Sequence, residues 1–159
     1  MTECSPLVDA ASPKATAALA RRLGAVLRAG DCVTLEGPIG AGKTHFARAL
    51  IRSLMTTPED VPSPTFTLVQ TYDTEAGEIW HADLYRLTGP AEIEDLGLSE
   101  AFDCAICLIE WPDRLGPLMP PQALHLQFTP DPDDEDRRRI GFHWTGGDWA
   151  ARLGTVLND

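Results

Sequence analysis

The segment Gly37-Pro38-Ile39-Gly40-Ala41-Gly42-Lys43-Thr44 reads G-x-x-x-x-G-K-T, between a strand-like run, Asp31 to Glu36, and a helix-like run, Thr44 to Met55. Few short patterns restrict a fold more. Glycines let successive backbone N–H groups turn inward with no Cβ in the way. The helix that follows presents its unpaired N-terminal donors, so strand, loop and helix together form an anion cradle. Such a loop binds a nucleoside triphosphate, with Lys43 reaching the β- and γ-phosphates and the Thr44 hydroxyl ligating Mg²⁺.

The flanking pattern predicts an α/β chain. Ser12-Pro13 is an N-cap followed by proline, and Ala15, Leu19, Leu23, Val26 and Leu27 recur on one face, which predicts a first helix from Pro13 to Ala29. The strand before the phosphate loop should be central. Phe66 to Tyr72 and Glu78 to Leu84 read as an antiparallel hairpin around Asp73 to Gly77, and Pro90 to Phe102 as one or two short helices. Ala105 to Glu110 reads as an apolar parallel strand ending in a carboxylate. After a proline-marked loop, Ala123 to Phe128 and Arg138 to Trp144 read as a second hairpin and Asp148 to Leu157 as a closing helix. The expectation is a three-layer P-loop NTPase-like fold with a mixed sheet, largely parallel at its centre, and antiparallel hairpins, the whole of 1–159 forming one domain.

Charge narrows the partners. The chain carries 13 basic and 24 acidic residues, a formal net charge of −11, so a polyanion is repelled over most of the surface and unaided nucleic-acid binding is not expected. The acidic run Asp131 to Asp136 and the following Arg137-Arg138-Arg139 read most simply as a solvated turn, with a phosphate or an acidic partner as the alternative for the arginines. No apolar signal core or membrane span stands in the first thirty residues, which points to the cytoplasm and to reduced thiols. Cys104 and Cys107 form a lone C-x-x-C with no second pair, in what reads as a buried strand; packing is preferred over zinc or redox chemistry.

Hydrolysis needs Mg²⁺ held from a second side and a positioned water. Glu110 ends an apolar strand at its C-terminal end, where ligands bind in open α/β sheets, and is a candidate for holding Mg²⁺ through water; a surface carboxylate is the alternative. His81 and Asp83 stand two apart on one strand face. Asp83 can orient or deprotonate the attacking water, or else be a structural acid paired with Arg86, and His81 is a supporting residue. Ser63-Pro64-Thr65-Phe66-Thr67 is either a switch segment over the γ-phosphate or a plain turn.

Taken in order, Gly40 to Thr44, Ser63 to Val69, His81-Ala82-Asp83-Leu84-Tyr85-Arg86-Leu87 and Ile109-Glu110-Trp111-Pro112 make the chain resemble the bacterial TsaE family, small ATPases of tRNA threonylcarbamoyladenosine biosynthesis. The resemblance spans roughly residues 13 to 145. It implies ATP as cofactor, its phosphates on Ile39, Gly40, Ala41, Gly42, Lys43 and Thr44 beside Gly37, and Mg²⁺ at Thr44 and Glu110. It also implies a catalytic or nucleotide-contacting role for Asp83, a functional aromatic in Trp111, a switch residue in Thr65, and a nucleotide-pocket position for Thr16. Lys43, Asp83 and Glu110 are then the catalytic set. The family's usual loop has Gly-Asp-Leu-Gly, whereas Pro38 and Ile39 stand here, and Pro38 offers no N–H to a phosphate. The implied partners are the TsaB and TsaD proteins, with tRNA reached only through the complex and no membrane involved. A small-molecule or nucleotide kinase and a nucleotide-gated binding module without turnover are the competing readings.

Overall fold

In the computed structural model, residues 6–38, 40–55, 69–85, 87 and 90–157 are described. Ile39, Arg86 and the expected switch segment with Thr65 lie outside them.

Seven strands form one sheet in the order β1-β7-β6-β2-β5-β4-β3. The four central strands are parallel: β2 (Cys32–Glu36) lies between β5 (Ile106–Glu110) and β6 (Leu124–Asp131), with β4 (Gly77–Asp83) beyond β5. Antiparallel strands complete both edges, β3 (Val69–Thr74) on β4 at one side, β7 (Asp134–His143) and β1 (Leu7–Ala10) at the other. This is the mixed, centrally parallel sheet that the sequence predicts.

Alternation along β5 shows how the sheet is covered. Ile106 and Leu108 pack on one side with Leu19 and Leu23 of α1 (Pro13–Gly24) and Phe46, Leu50 and Ile51 of α2 (Lys43–Leu54). Cys107 and Ile109 pack on the other with Ile93 of α3 (Pro90–Asp95), Leu98 and Ala101 of α4 (Leu98–Cys104), and Leu115. All five residues of β5 are buried, as a strand covered on both faces requires. Leu115 belongs to a stretch of 3-10 turns, Pro112–Leu118, broken at Gly116.

Several boundaries differ from expectation. Helix α1 ends at Gly24 because Val26 N donates to Leu23 O and Leu27 N to Gly24 O, an i to i−3 tightening that turns the chain although the apolar period continues. The first hairpin turns at Glu75-Ala76, and the second is longer than its apolar runs: Asp131 faces Asp134, so only Pro132-Asp133 form the turn and most of the acidic run is strand. The closing helix is two pieces, α5 (Trp149–Arg152) and α6 (Gly154–Leu157). Cys104 is not in a buried strand; it ends α4 exposed, while Cys32 and Cys107 are buried. Strand β1 has no counterpart in the sequence reading. Among the described residues no helix is long and apolar enough to cross a membrane.

Candidate functional site

The loop between β2 and α2 is held in shape by glycines that cannot be replaced. A Cβ on Gly37 (φ 151°) would lie 2.6 Å from the carbonyl oxygen of Phe128, and Gly42, at φ 99°, caps α2 in a left-handed conformation that other residues rarely adopt. The first intrahelical bond is from Phe46 N to Gly42 O at 3.0 Å, which leaves the amides of Lys43, Thr44 and His45 free of an intrahelical acceptor. No acidic side chain stands in this first turn to compete for an anion. Behind the loop, Arg138 of β7 donates to Ala41 O (2.8 Å) and Gly40 O (3.2 Å). The arginine triplet thus has a structural member that fixes the loop backbone, a role its sequence context did not reveal.

Strand pairing brings the distant candidates to the same place. Asp83 and Glu110 face each other across β4 and β5 at their C-terminal ends, beside Leu35 just before the loop. The Thr44 hydroxyl donates to Glu110 Oε1 at 3.0 Å, and His81 Nε2 donates to Glu110 Oε2 at 2.7 Å. Glu110 is 2% exposed and His81 fully buried, so Glu110 is no surface carboxylate. His81 acts on the site through Glu110, and its Nδ1 is buried without a partner among the described residues. Asp83 Oδ1 accepts from Tyr85 N at 3.0 Å, closing a local turn. Burial, and to a lesser degree the neighbouring Glu110 charge, pushes the Asp83 carboxyl above its ordinary value, against the pull of the Tyr85 amide bond and Lys43.

Lys43 is buried at 5% exposure. Its Nζ donates to Gly37 O at 2.6 Å across the loop mouth and sits 3.7 Å from the Trp111 ring centroid. Burial lowers its pKa, while Glu110 and Asp83 work the other way. Trp111 is the only non-glycine residue with positive φ (59°) among the described residues, a conformation costing of order 1–3 kcal/mol. Pro112 follows it and disfavours the right-handed helical alternative. The strained backbone carries the indole onto Lys43 and against Tyr85, ring centroids 4.8 Å apart.

Thr16 lies on the other side of the loop. Its hydroxyl is buried without a partner among the described residues, and it lines a cavity of about 190 Å³ with Pro13, Gly42, His45, Asp136 and Arg138. The structure therefore gathers Gly37, Gly40, Ala41, Gly42, Lys43, Thr44, Asp83, Glu110 and Trp111 around one loop, with Thr16 beside it. The Thr44 hydroxyl and Glu110 carboxylate form a hard oxygen pair suited to Mg²⁺, next to an ammonium and unpaired helix amides suited to phosphate.

A central parallel sheet in which β2 runs through a glycine loop into α2, with an acid at the end of the neighbouring strand, is a P-loop NTPase-like fold. More narrowly, the chain belongs to the TsaE family, whose model, described as threonylcarbamoyl adenosine biosynthesis protein TsaE, matches residues 10–140. It is similar to the tRNA threonylcarbamoyladenosine biosynthesis protein TsaE of Rickettsia felis, 40% identical over 77% of this chain and 71% of that protein. The protein of the same name from Bacillus subtilis is 38% identical over 85% of this chain and 83% of its own length. Among solved structures, the crystal structure of Bacillus subtilis YdiB superposes with a TM-score of 0.79 at 27% identity, covering 98% of this chain and 96% of the other.

Proposed function

We propose that the chain is an ATPase acting with the TsaB and TsaD proteins in threonylcarbamoyladenosine modification of tRNA, and that it contacts tRNA only through that complex. The observation that carries the reading is the bond between Thr44 of the phosphate loop and Glu110 of the neighbouring strand, made beneath Lys43. Few structural needs would bring these three groups together; binding a metal-bound triphosphate needs all of them.

In this mechanism ATP phosphates replace the Gly37 carbonyl as the partner of Lys43, and the free amides of α2 take the remaining phosphate oxygens. Thr44 and Glu110 would hold Mg²⁺, which would offset phosphate charge. Both Glu110 oxygens are already engaged, by Thr44 and His81. Asp83 stands opposite Glu110 at the strand ends, so in this reading Asp83 orients the attacking water and accepts its proton, a task its raised pKa favours. The water oxygen bonds to the γ-phosphorus as the bond to the β,γ-bridging oxygen breaks, and ADP and phosphate leave. Lys43 leaves the Trp111 face and the Gly37 carbonyl to reach a phosphate, which slows the isolated protein and gives partners a point of control. Thr65 completes the proposal as the γ-phosphate sensor.

Steady-state phosphate release with and without TsaB and TsaD tests the reading. Slow, Mg²⁺-dependent release that rises with the partners, with no retention of tRNA by the isolated protein at physiological salt, is expected. Phosphoryl transfer to a small acceptor, or full turnover without partners, overturns it.

A further inference from the structure

Helices α1 and α2 run parallel with their N-termini together at the phosphate loop: His45 Nε2 donates to Pro13 O at 3.0 Å, and Gly24 packs near Ser53 at the far end. Between them lies an open groove of about 520 Å³, floored by Ala17 and Ala49 and walled by Arg21, Arg48, Arg52 and His45. Its arginines stand apart from the others. Arg22, Arg28, Arg114, Arg137, Arg138, Arg139 and Arg152 all donate to carboxylates or carbonyls. Among the described residues, the side chains of Arg21, Arg48 and Arg52 have no hydrogen-bond or ion-pair partner, and all three are exposed.

Arg21 and Arg52 stand in the last turns of α1 and α2, where the helix dipole favours a cation, but that does not require them to gather with Arg48 around one groove. Arg48 and Arg52 are an i, i+4 like-charge pair, which costs a helix a few tenths of a kcal/mol, and Arg21 adds a third charge across the groove. Three cations around one groove give it a local positive charge that suits an anion. A long polyanion fits poorly, because 24 acidic residues against 13 basic ones repel it wherever it leaves the groove. A short run of carboxylates needs only the groove, and guanidinium forks match carboxylates in a two-bond geometry.

We propose that this groove docks an acidic segment of a partner protein. The inference rests on the proposed partnership with TsaB and TsaD, one of which supplies the segment. His45 walls both this groove and the cavity beside Thr16, so a segment seated here shares a side chain with the nucleotide site.

The test compares the full-length parent, Arg48→Glu/Arg52→Glu and Arg48→Gln/Arg52→Gln for binding to the TsaB–TsaD pair, with ATP affinity as the control for folding. The charge-neutral variant keeps helix-forming residues and carries the test if the reversed one does not fold. Expected is a loss of about tenfold or more in affinity for the reversed variant and a smaller loss for the neutral one. ATP affinity should stay within about twofold, and the difference should shrink at about 0.5 M salt. Equal partner binding by parent and variants overturns the docking inference and leaves the proposed function standing. No binding by the parent overturns both. A labelled 20-nucleotide single-stranded RNA bound by the parent at about 0.15 M salt and released by the reversed variant would show a nucleic-acid groove and overturn the protein assignment.

Discussion

Two polar clusters lie at opposite ends of β2, and they are built on opposite terms. At the N-terminal end Arg152 bonds Asp31 through both terminal nitrogens, also donates to Val26 O and Asp148, and lies 4.3 Å from the Trp149 ring centroid. The Asp31 bond pushes the Arg152 pKa up and Arg28 holds Asp148 below the usual carboxylate range: partners favour the charged forms. At the C-terminal end burial pushes Lys43 down and Asp83 up, so the surroundings disfavour the charges. One cluster is complete as it stands. The other holds ionisable groups against their preference, under a strained tryptophan, in a form that an added anion and cation would complete. Incomplete satisfaction, more than the number of polar groups, separates a binding site from a structural network.

If that contrast holds, substitutions at the two ends must fail in different ways. Lys43→Met should lower ATP affinity by about two orders of magnitude or more, because phosphate charge loses its cation. Its melting temperature should match or exceed the parent's, since a lysine whose folded pKa is lowered costs stability at neutral pH. Calorimetric titration and thermal melting read the two effects, and a destabilised variant that keeps ATP affinity would erase the distinction. Arg152→Ala should do the reverse, costing about 1–3 kcal/mol by removing both guanidinium bonds to Asp31, which keeps only the Arg28 amide, while ATP affinity stays within about twofold.

The first structural elements to be legible were those with a strong local reason. A glycine loop between strand and helix fixes the site's centre, and an apolar run ending in Glu110 fixes the next strand. Their meeting is only partly legible: strand alternation puts His81 on the Asp83 face, but its bond to Glu110 depends on β4 lying beside β5, a pairing no local pattern encodes. Arg138 was ambiguous for the same reason, because antiparallel β7 reaches the loop only through sheet order. Strand β1 is four residues at an edge, too short to show a period, and the left-handed Trp111 had only the following proline as a signal. Cys104 differs from its expected place because it closes the last turn of α4 directly before the apolar run of β5, a boundary that the C-x-x-C spacing does not mark.

The cysteines extend the contrast between satisfied and exposed groups to a smaller scale. Of the three described, Cys104 should react first with a thiol reagent under native conditions, while Cys32 and Cys107 stay protected until unfolding. Burial pushes Cys107 from 9.0 up to about 12 and raises Cys32 as well. In the unfolded chain these thiols ionise near their ordinary value, whereas in the folded one they stay neutral. Their contribution is therefore intact below about pH 9 and falls as pH climbs toward 12, which urea unfolding across that window would reveal as declining stability. Labelling of Cys107 ahead of Cys104 would show that β5 opens in the native state. Smallest of all should be the effect of Trp111→Ala on ATP affinity, within about fivefold, since a cation–π contact is worth roughly 0.5–2 kcal/mol and its loss frees Lys43. Its effect on modification by the reconstituted system should be larger.

The most direct test of the account is single-turnover hydrolysis of ATP by the parent, Asp83→Asn and Glu110→Gln in the presence of TsaB and TsaD, with ATP affinity measured alongside. Asp83→Asn should bind ATP as the parent does and hydrolyse it about a hundredfold or more slowly, while Glu110→Gln should lose both rate and Mg²⁺ dependence. Hydrolysis by Asp83→Asn at the parent rate, with the protein folded and ATP bound, would contradict the account.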